Sequence, residues 1–229
     1  MRKLMLRSEL ADPTFDAIDN HLAPRPAAAP AAPDVAPDWR QALPVLTRSR
    51  MTLRELRVED APTLYLMMSS QETSRFISPP PSNLDGFTRF VEWAIRERER
   101  GAYVCFAIVP EGMSTAVGLF QVRALEPSFA TAEWGFALGA PYWGSGMFTE
   151  GAQLVLKFVF EVMGVHRLEA RASITNGRGN GALRKLGAVQ EGVLRRAFLR
   201  HGAYHDQVLW SLLRDEWQVR REHTRPAVH

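Results

Sequence analysis

The sequence predicts one mixed α+β domain that follows a nonglobular N-terminal segment. The composition is that of a globular protein, with 46% hydrophobic and 23% charged residues in a chain of 229. From Trp39 onward, short alternating or β-rich runs are interleaved with longer helical patterns, and this mixture predicts an α+β domain. Residues 23–37 differ, because twelve of these 15 residues are Ala or Pro, and their five prolines exclude a regular helix.

The predicted organisation has three parts. Residues 1–47 form an N-terminal extension containing the Ala/Pro-rich linker at 23–37, residues 48–217 form the globular domain, and residues 218–229 form a polar tail that is expected to fray. A body of roughly 170 residues buries enough surface to fold without disulfides or metal ions.

The first half of the domain predicts the order strand, helix, helix, strand, strand. These elements lie over residues 51–56, 59–70, 84–100, 103–109 and 116–123. Pro62 falls in the first turn of its helix, where the missing N–H costs no hydrogen bond. Asn83 and Gly101 supply the N-cap and the end of the second helix. A turn at Glu111-Gly112 separates the two β-rich runs.

The second half predicts the order strand, helix, strand, helix, strand, strand. These elements lie over residues 131–138, 147–163, 166–174, 181–186, 189–200 and 207–213. The helix over 147–163 is apolar on most of its surface, which predicts a central position. Gly187 ends the short helix, and the last two strands form a hairpin around His201-Gly202.

Charge and cysteine content exclude several classes of function. The net charge is only +3, and acids and bases alternate over residues 96–100, as is typical of a solvated helix face rather than a nucleic-acid-binding stripe. Cys105, the single cysteine, excludes an internal disulfide or a CxxC zinc site and is expected to be buried. The apolar stretch at 154–163 is too short to span a bilayer. We therefore expect a cytoplasmic protein with no metal, no nucleic-acid partner and no membrane partner.

The segment over residues 131–150, TAEWGFALGAPYWGSGMFTE, has the character of a binding site. Strand alternation places Glu133, Gly135 and Ala137 on one face, and the lack of bulk at Gly135 predicts space for an elongated ligand. The strand leads through Gly144-Ser145-Gly146 into a helix, where free N–H groups and the helix dipole favour an anion. A dinucleotide-binding fingerprint is disfavoured because Thr149 stands where a third glycine is needed.

Five motifs in order resemble one family. Residues 142–150, YWGSGMFTE, resemble the acetyl-CoA loop of the GNAT acetyltransferases, in the branch of the ribosomal-protein N-terminal acetyltransferases (RimJ/RimL type). Residues 176–188, NGRGNGALRKLGA, resemble a later segment of that branch. The opening strand at 53–56, Glu191-Gly192 and the run DQVLWSLL at 206–213 match further motifs, so that the resemblance covers about residues 46–217.

The resemblance implies a GNAT fold with acetyl-CoA as co-substrate. In that fold a mixed central sheet has helices on both faces and is splayed between its fourth and fifth strands, with the pantetheine in the gap. The resemblance assigns cofactor binding to the backbone of Phe136, Ala137 and Leu138, to the amides of Gly144, Ser145, Gly146, Met147 and Phe148, and to Asn176.

The resemblance also implies transfer of an acetyl group to a primary amine by direct attack in a ternary complex. The acceptor is a protein N-terminus or a small amine, and the motifs do not choose between them because they lie on the cofactor side. Glu133 matches a glutamate of this branch and is the expected general base; the alternative is a glutamate paired with a nearby arginine. Ser173, Thr175 and Tyr204 are candidate acids.

Some residues depart from the family pattern. Ser145 stands where Lys or Arg is usual, Phe148 replaces a small residue, and Gly179 replaces a serine. Leu183 stands where the wider family often has a tyrosine that protonates the leaving thiolate. A non-catalytic CoA-binding or sensing module on the same fold is therefore the second hypothesis. We expect residues 79–81 and the helix from Leu84 to border the acceptor pocket.

Overall fold

The computed structural model describes residues 38–200 and 202–224. Its strands are β1 Leu46–Arg48, β2 Met51–Glu55, β3 Tyr103–Pro110, β4 Gly118–Ala124, β5 Thr131–Leu138, β6 Arg167–Ser173, β7 Val189–Arg200 and β8 Ala203–Leu213. Its α-helices are α1 Ala61–Met68, α2 Gln71–Ser74, α3 Leu84–Glu99, α4 Met147–Lys157, α5 Gly177–Lys185 and α6 Arg214–Thr224. The linker predicted at 23–37, the rest of the chain before residue 38 and His201 lie outside the described residues.

The strands form one sheet in the order β1-β2-β3-β4-β5-β6-β8-β7. Every neighbouring pair is antiparallel except β5 and β6, which are parallel. This parallel pair is held by only three residue pairs, Thr131 with Arg167, Ala132 with Leu168 and Glu133 with Glu169. Beyond Glu133 the two strands diverge, so the splay predicted between the fourth and fifth strands is confirmed. The unpredicted three-residue strand β1 shifts the numbering by one.

One face of the sheet packs on the central helix α4 and its continuation. Phe106 and Phe120 belong to this core together with Val155 of α4 and Phe160. Residues Phe158–Val162 extend α4 with one turn of π-helix, so the long apolar helix predicted over 147–163 is present but changes its hydrogen-bond pattern after Lys157. Within residues 38–200 and 202–224, no helix is both long and apolar enough to cross a bilayer.

The opposite face packs on α1 and α3. Leu64 of α1 and Phe87 and Val91 of α3 cover Cys105 and Ala107 of β3. Cys105 is buried as expected, with 3% of its surface exposed, and burial raises the pKa of its thiol well above the ordinary range. Cys105 therefore acts as an apolar residue in a closed core and not as a nucleophile.

A buried ion pair fixes the start of α1 against the sheet. Asp60 is fully buried, and its carboxylate accepts hydrogen bonds from both terminal nitrogens of Arg54, each at 2.8 Å. The same carboxylate also accepts from the backbone N–H groups of Arg57 at 2.8 Å and Ala116 at 2.9 Å. Because both charges are paired and their donors and acceptors satisfied, this network positions α1, and hence the segment after it, relative to β2 and β4.

Two helices differ from the prediction. The helix expected over 59–70 ends at Met68, and α2 begins after Ser70, whose hydroxyl accepts from the Thr73 N–H at 3.2 Å. The tail expected to fray from Gln218 is helical through Thr224, because Trp217 is buried and its ring lies 5.2 Å from that of Phe160. Packing of one aromatic side chain therefore extends order into a polar segment.

Candidate functional site

A cavity of about 870 Å³ opens where β5 and β6 diverge. Its lining comes from residues 72–77 around α2, residues 136–138 of β5, residues 142–149 and residues 176–185 at α5. Seven of the nine predicted cofactor-binding residues line it, namely Phe136, Ala137, Leu138, Gly144, Gly146, Phe148 and Asn176. Ser145 and Met147 belong to the same loop but are not among the lining residues. The fold thus gathers three distant regions of the sequence, residues 72–77, 136–149 and 176–185, around one opening.

The β5 wall of the cavity is built differently from the prediction at Gly135. The space beside this glycine is occupied by Gln121 of β4, whose Nε2 would lie 2.8 Å from a Cβ added at residue 135. The Gln121 side chain is fixed in turn by the Tyr103 hydroxyl, which donates to its Oε1 at 2.5 Å. The missing side chain at Gly135 therefore accommodates a neighbouring glutamine, and the ligand space lies nearer the end of β5.

The glycine loop, residues 142–148, joins β5 to α4 and presents free amides. Gly144 and Gly146 have φ of +77° and +87°, which favours glycine at both positions. Among the described residues, no acceptor takes the N–H groups of Gly144, Gly146 or Phe148. Because these amides lie at the N-terminus of α4, where the helix dipole is positive, the loop can hold an anion such as a pyrophosphate.

Ser145 stabilises the loop internally. Its hydroxyl donates to the Tyr142 carbonyl at 2.7 Å and accepts from the Met147 N–H at 3.3 Å. A serine here therefore replaces the cationic side chain of the family with a local turn contact.

Arg50 brings a cation to this loop from the turn between β1 and β2. Its Nη1 donates to the Ser145 carbonyl oxygen at 2.8 Å. Because a trans peptide holds its C=O and N–H in opposite directions, fixing this carbonyl also fixes the Gly146 N–H away from Arg50. Arg50 was not predicted from the sequence, since 95 residues separate it from its partner and no local pattern links them.

Asn176 caps α5 at the other edge of the cavity. Its Oδ1 accepts from the Gly179 N–H at 2.9 Å, and a Cβ at residue 179 would lie 2.5 Å from its Nδ2. The glycine that replaces the usual serine thus admits the Asn176 side chain. The helix expected over 181–186 begins at Gly177 because of this cap. Among the described residues, the Asn176 Nδ2 group has no acceptor, so it is available to a ligand.

An aromatic–cation pair crosses the mouth of the cavity. The Trp143 indole donates to the Leu138 carbonyl at 2.7 Å, and the guanidinium of Arg178 lies 4.0 Å from the Trp143 ring centroid. Arg178 belongs to α5, so this contact joins the glycine loop to α5 across the splay. Arg178, Arg75 and Lys185 line the cavity together with Glu72, and this excess of positive charge suits an anionic ligand.

Glu133, the predicted base, lies outside the cavity lining, at the last position where β5 pairs with β6. Its Oε2 accepts from Arg123 Nη2 at 2.6 Å, while its Oε1 is 3.9 Å from Arg171 Nε, too far for a direct hydrogen bond. The side chain is 20% exposed. Three residues of extended strand, roughly 10 Å, separate it from Phe136. The arginine pairing that was the alternative to catalysis is therefore present, yet one carboxylate oxygen remains accessible.

The candidate acids differ in their surroundings. Ser173 is buried, and its hydroxyl lies 2.9 Å from that of Thr175. Tyr204 is 64% exposed near the end of the β7–β8 hairpin. Leu183, at the position of the family tyrosine, is fully buried in the core. Within residues 38–200 and 202–224, no three His, Cys, Asp or Glu side chains cluster so that they could hold a metal ion.

One wall of the cavity was not predicted from the sequence. We call residues 72–77, the end of α2 and the turn after it, the α2 wall; it contributes Glu72, Thr73, Arg75, Phe76 and Ile77. The sequence predicts this border at residues 79–81 and the helix from Leu84, but these residues are not among those that line the cavity. Ser70 followed by a polar tetrapeptide is an N-cap signal that points to α2.

A mixed sheet splayed after three residue pairs, with a glycine loop at the head of its central helix, defines the class of GNAT acetyltransferases. The model of the Acetyltransferase (GNAT) domain family matches residues 50–189, and the chain belongs to this family. The family and the N-acetyltransferase enzyme class expected from the sequence are therefore confirmed.

Individual relatives agree with this assignment. The chain is similar to the uncharacterized N-acetyltransferase YoaA of Bacillus subtilis, with 24% identity over 176 residues covering 75% of this chain and 97% of YoaA. It is also similar to a candidate acetyltransferase solved from T. thermophilus, with 31% identity, a TM-score of 0.66 and coverage of 78% and 94%. Mycobacterium smegmatis RimJ, solved in complex with CoA-disulfide, shares the fold at 20% identity and a TM-score of 0.66, with coverage of 72% and 83%. The chain is also similar to the candidate ribosomal N-acetyltransferase YdaF of Bacillus subtilis, with 23% identity over 177 residues covering 73% of this chain and 93% of YdaF, which is consistent with the RimJ/RimL-type branch.

Proposed function

We propose that this enzyme transfers the acetyl group of acetyl-CoA to a primary amine, with both substrates bound together. The observation that carries the proposal is the continuity of the cavity, which runs from the free amides of the glycine loop through the gap between β5 and β6 to the α2 wall. A ligand with a pyrophosphate at one end and a flexible arm leading to a reactive group matches this shape. The CoA complex of the RimJ neighbour supports the same choice.

The cofactor is held mainly by backbone groups in this proposal. The free amides of Gly144, Gly146 and Phe148 bind the pyrophosphate, and the β5 backbone at residues 136–138 pairs with the pantetheine across the gap. Asn176 donates from its free Nδ2, and Arg178 adds positive charge at the mouth. Backbone amides serve this purpose well because their positions are fixed before the ligand arrives.

The chemistry needs a proton acceptor because an amine arrives as an ammonium ion. We assign this role to Glu133, through a water at its accessible Oε1, while Arg123 keeps the other oxygen in place. The neutral amine nitrogen then attacks the thioester carbonyl carbon; as the C–S bond breaks, the thiolate leaves and the nitrogen gives its second proton to water. We assign protonation of the thiolate to solvent water. The Ser173 hydroxyl is already hydrogen-bonded to the Thr175 hydroxyl, and Tyr204 is exposed on the hairpin.

A non-catalytic CoA-binding module is the second candidate. The specific observation in its favour is Leu183, whose buried side chain offers no proton where the wider family often has a tyrosine.

An acceptor screen separates the two candidates. Acetyl-CoA binding is measured by calorimetry, and release of the CoA thiol is followed across peptides with free N-termini and small amines. Amine-dependent thiol release, matched by one acetylated product per thiol, supports the enzyme. Binding without turnover for any amine supports the module, and absence of binding at millimolar acetyl-CoA contradicts both.

A further inference from the structure

The α2 wall brings one acid, Glu72, and one base, Arg75, to the cavity. Among the described residues that line the cavity, Glu72 is the one carboxylate, whereas Arg75, Arg178 and Lys185 are cationic. Arg178 and Lys185 belong to α5, on the same side as Asn176, and Glu72 belongs to α2. The cations of the cavity therefore lie on α5 and at Arg75 of the α2 wall, its free amides lie on the glycine loop, and its one acid among the described lining residues is Glu72 of the α2 wall.

The Glu72 carboxylate is not used in a structural contact among the described residues. Glu72 is exposed, and within the described parts of the chain its carboxylate has neither an ion-pair partner nor a hydrogen-bond donor. Arg75, one turn further along, does not pair with it; the Arg75 guanidinium instead lies 5.0 Å from the centroid of the Phe76 ring. Glu133, by contrast, is engaged by Arg123. A free carboxylate at the rim of a largely cationic cavity is suited to receive a cation.

The helix that bears Glu72 is fixed on both sides of the site. The Thr73 hydroxyl oxygen accepts from the Ala140 N–H at 3.2 Å, which joins α2 to the segment after β5. Arg200 of β7 donates through Nη2 to the Ser74 carbonyl at 2.8 Å, which joins α2 to the hairpin. A four-residue helix is marginal alone, and these contacts place its acid at a defined point of the cavity.

We propose that Glu72 binds the ammonium group of the acceptor and makes the site selective for cationic amines. The role is one of binding and positioning, distinct from the proton transfer assigned to Glu133, and it rests on the proposed acetyl transfer. The acceptor class is an amine that is protonated in solution and enters from the α2 side, and a neutral amide or alcohol would gain nothing from this carboxylate.

The test compares Glu72→Gln with wild type and with Glu92→Gln, which removes the same charge from an exposed position of α3 outside the cavity. The probes are spermidine, a hexapeptide with a free N-terminal alanine and the same hexapeptide N-acetylated. Losing a hydrogen bond to a charged group predicts that Glu72→Gln raises the KM of the better amine by about tenfold or more. Its kcat and its Kd for acetyl-CoA should stay within about twofold of wild type, as judged from the same assays.

Each remaining outcome has a definite meaning. The proposal is overturned if the amine KM is unchanged in Glu72→Gln or if Glu92→Gln raises it equally. In both cases, turnover by the wild type leaves the proposed function standing. If the wild type releases no thiol, calorimetry with CoA present still applies. The role of Glu72 is supported without catalysis if the wild type binds the free-amine probes but not the acetylated peptide, and if Glu72→Gln no longer binds the free-amine probes. If the wild type binds none of the probes, the proposal is overturned.

Discussion

At the scale of single residues, Glu133 combines an ion pair with an accessible oxygen. We expect Glu133→Gln to lower kcat by about 10²–10⁴-fold with little change in the KM for acetyl-CoA, because the amide cannot accept the proton. Steady-state kinetics checks this. Glu169→Gln is the matched control, since Glu169 is the register partner of Glu133 on β6 and pairs with Arg167. Full turnover in Glu133→Gln accompanied by a lower melting temperature would instead assign Glu133 to the ion pair alone.

Arg50 is a second residue whose effect is local. Removing its hydrogen bond to the Ser145 carbonyl in Arg50→Ala should raise the KM for acetyl-CoA by about threefold to tenfold, because the glycine loop loses the contact that orients its amides. The kcat at saturation should not change. Arg48→Ala, an exposed arginine on β1 just before the same turn, is the control; a similar rise in that variant would indicate a general effect of charge.

At the scale of elements, α5 contains glycines that nothing in its packing requires. A Cβ at Gly181 meets nothing within 4 Å, and the residue is helical with negative φ. Gly181→Ala should therefore stabilise the protein by about 0.5–1 kcal/mol, measured by urea unfolding. Gly187→Ala should destabilise it, because Gly187 has φ of +86° and its Cβ would overlap the Arg220 guanidinium. A loss of stability in Gly181→Ala would contradict this account of α5.

The strands β6, β8 and β7 share an electrostatic clamp. Arg167 of β6 and Ser211 of β8 both donate to Glu191 of β7, at 2.8 Å and 2.7 Å. The hydrogen bonds from Arg167, and to a smaller extent the hydrogen bond from the Ser211 hydroxyl, lower the pKa of the Glu191 carboxyl from 4.5 to about 2. A lowered pKa in the folded state means that this stabilisation is complete above about pH 4.5 and is lost as the pH falls toward 2.

The clamp predicts a pH-dependent effect of Glu191→Gln. The variant should lose about 1 kcal/mol of unfolding free energy near neutral pH, a value reduced because the Glu191 side chain is 35% exposed. The difference from wild type should shrink as the pH falls from about 4.5 toward 2, as the wild-type carboxyl becomes protonated. Urea unfolding at several pH values measures it, and a difference independent of pH would assign the stabilisation to packing.

At the scale of the whole molecule, the sequence predicts the order of the large elements and the glycine loop. The strands at 51–55, 103–110 and 131–138 and the helices beginning at Leu84 and Met147 have long patterns or clear caps. Gly144 and Gly146 are recognisable because positive φ restricts residue choice. Such features depend on short stretches of chain, and local chemistry specifies them.

What the sequence does not predict arises from contacts between distant segments. Arg50 reaches Ser145, Arg200 reaches Ser74, and Gln121 occupies the space beside Gly135. The four residues of α2 are too few to show a period, although their contacts with two other segments fix the α2 wall. The helix through Thr224 likewise depends on Trp217 meeting Phe160. These features are set by tertiary packing, which overrides weak local preference.

The splay of the sheet also bears on the stability of the folded protein. Two half-sheets are joined along β5 and β6 by only three residue pairs, so the end of β5 keeps backbone groups that none of the described strands satisfies on that side. A pantetheine arm bound there, as proposed, would take the place of a neighbouring strand. Under the proposed function, folding and cofactor supply are thermodynamically linked, and acetyl-CoA at about 100 times its Kd would add roughly 2.7 kcal/mol to stability. The enzyme would be most durable when its acetyl donor is abundant.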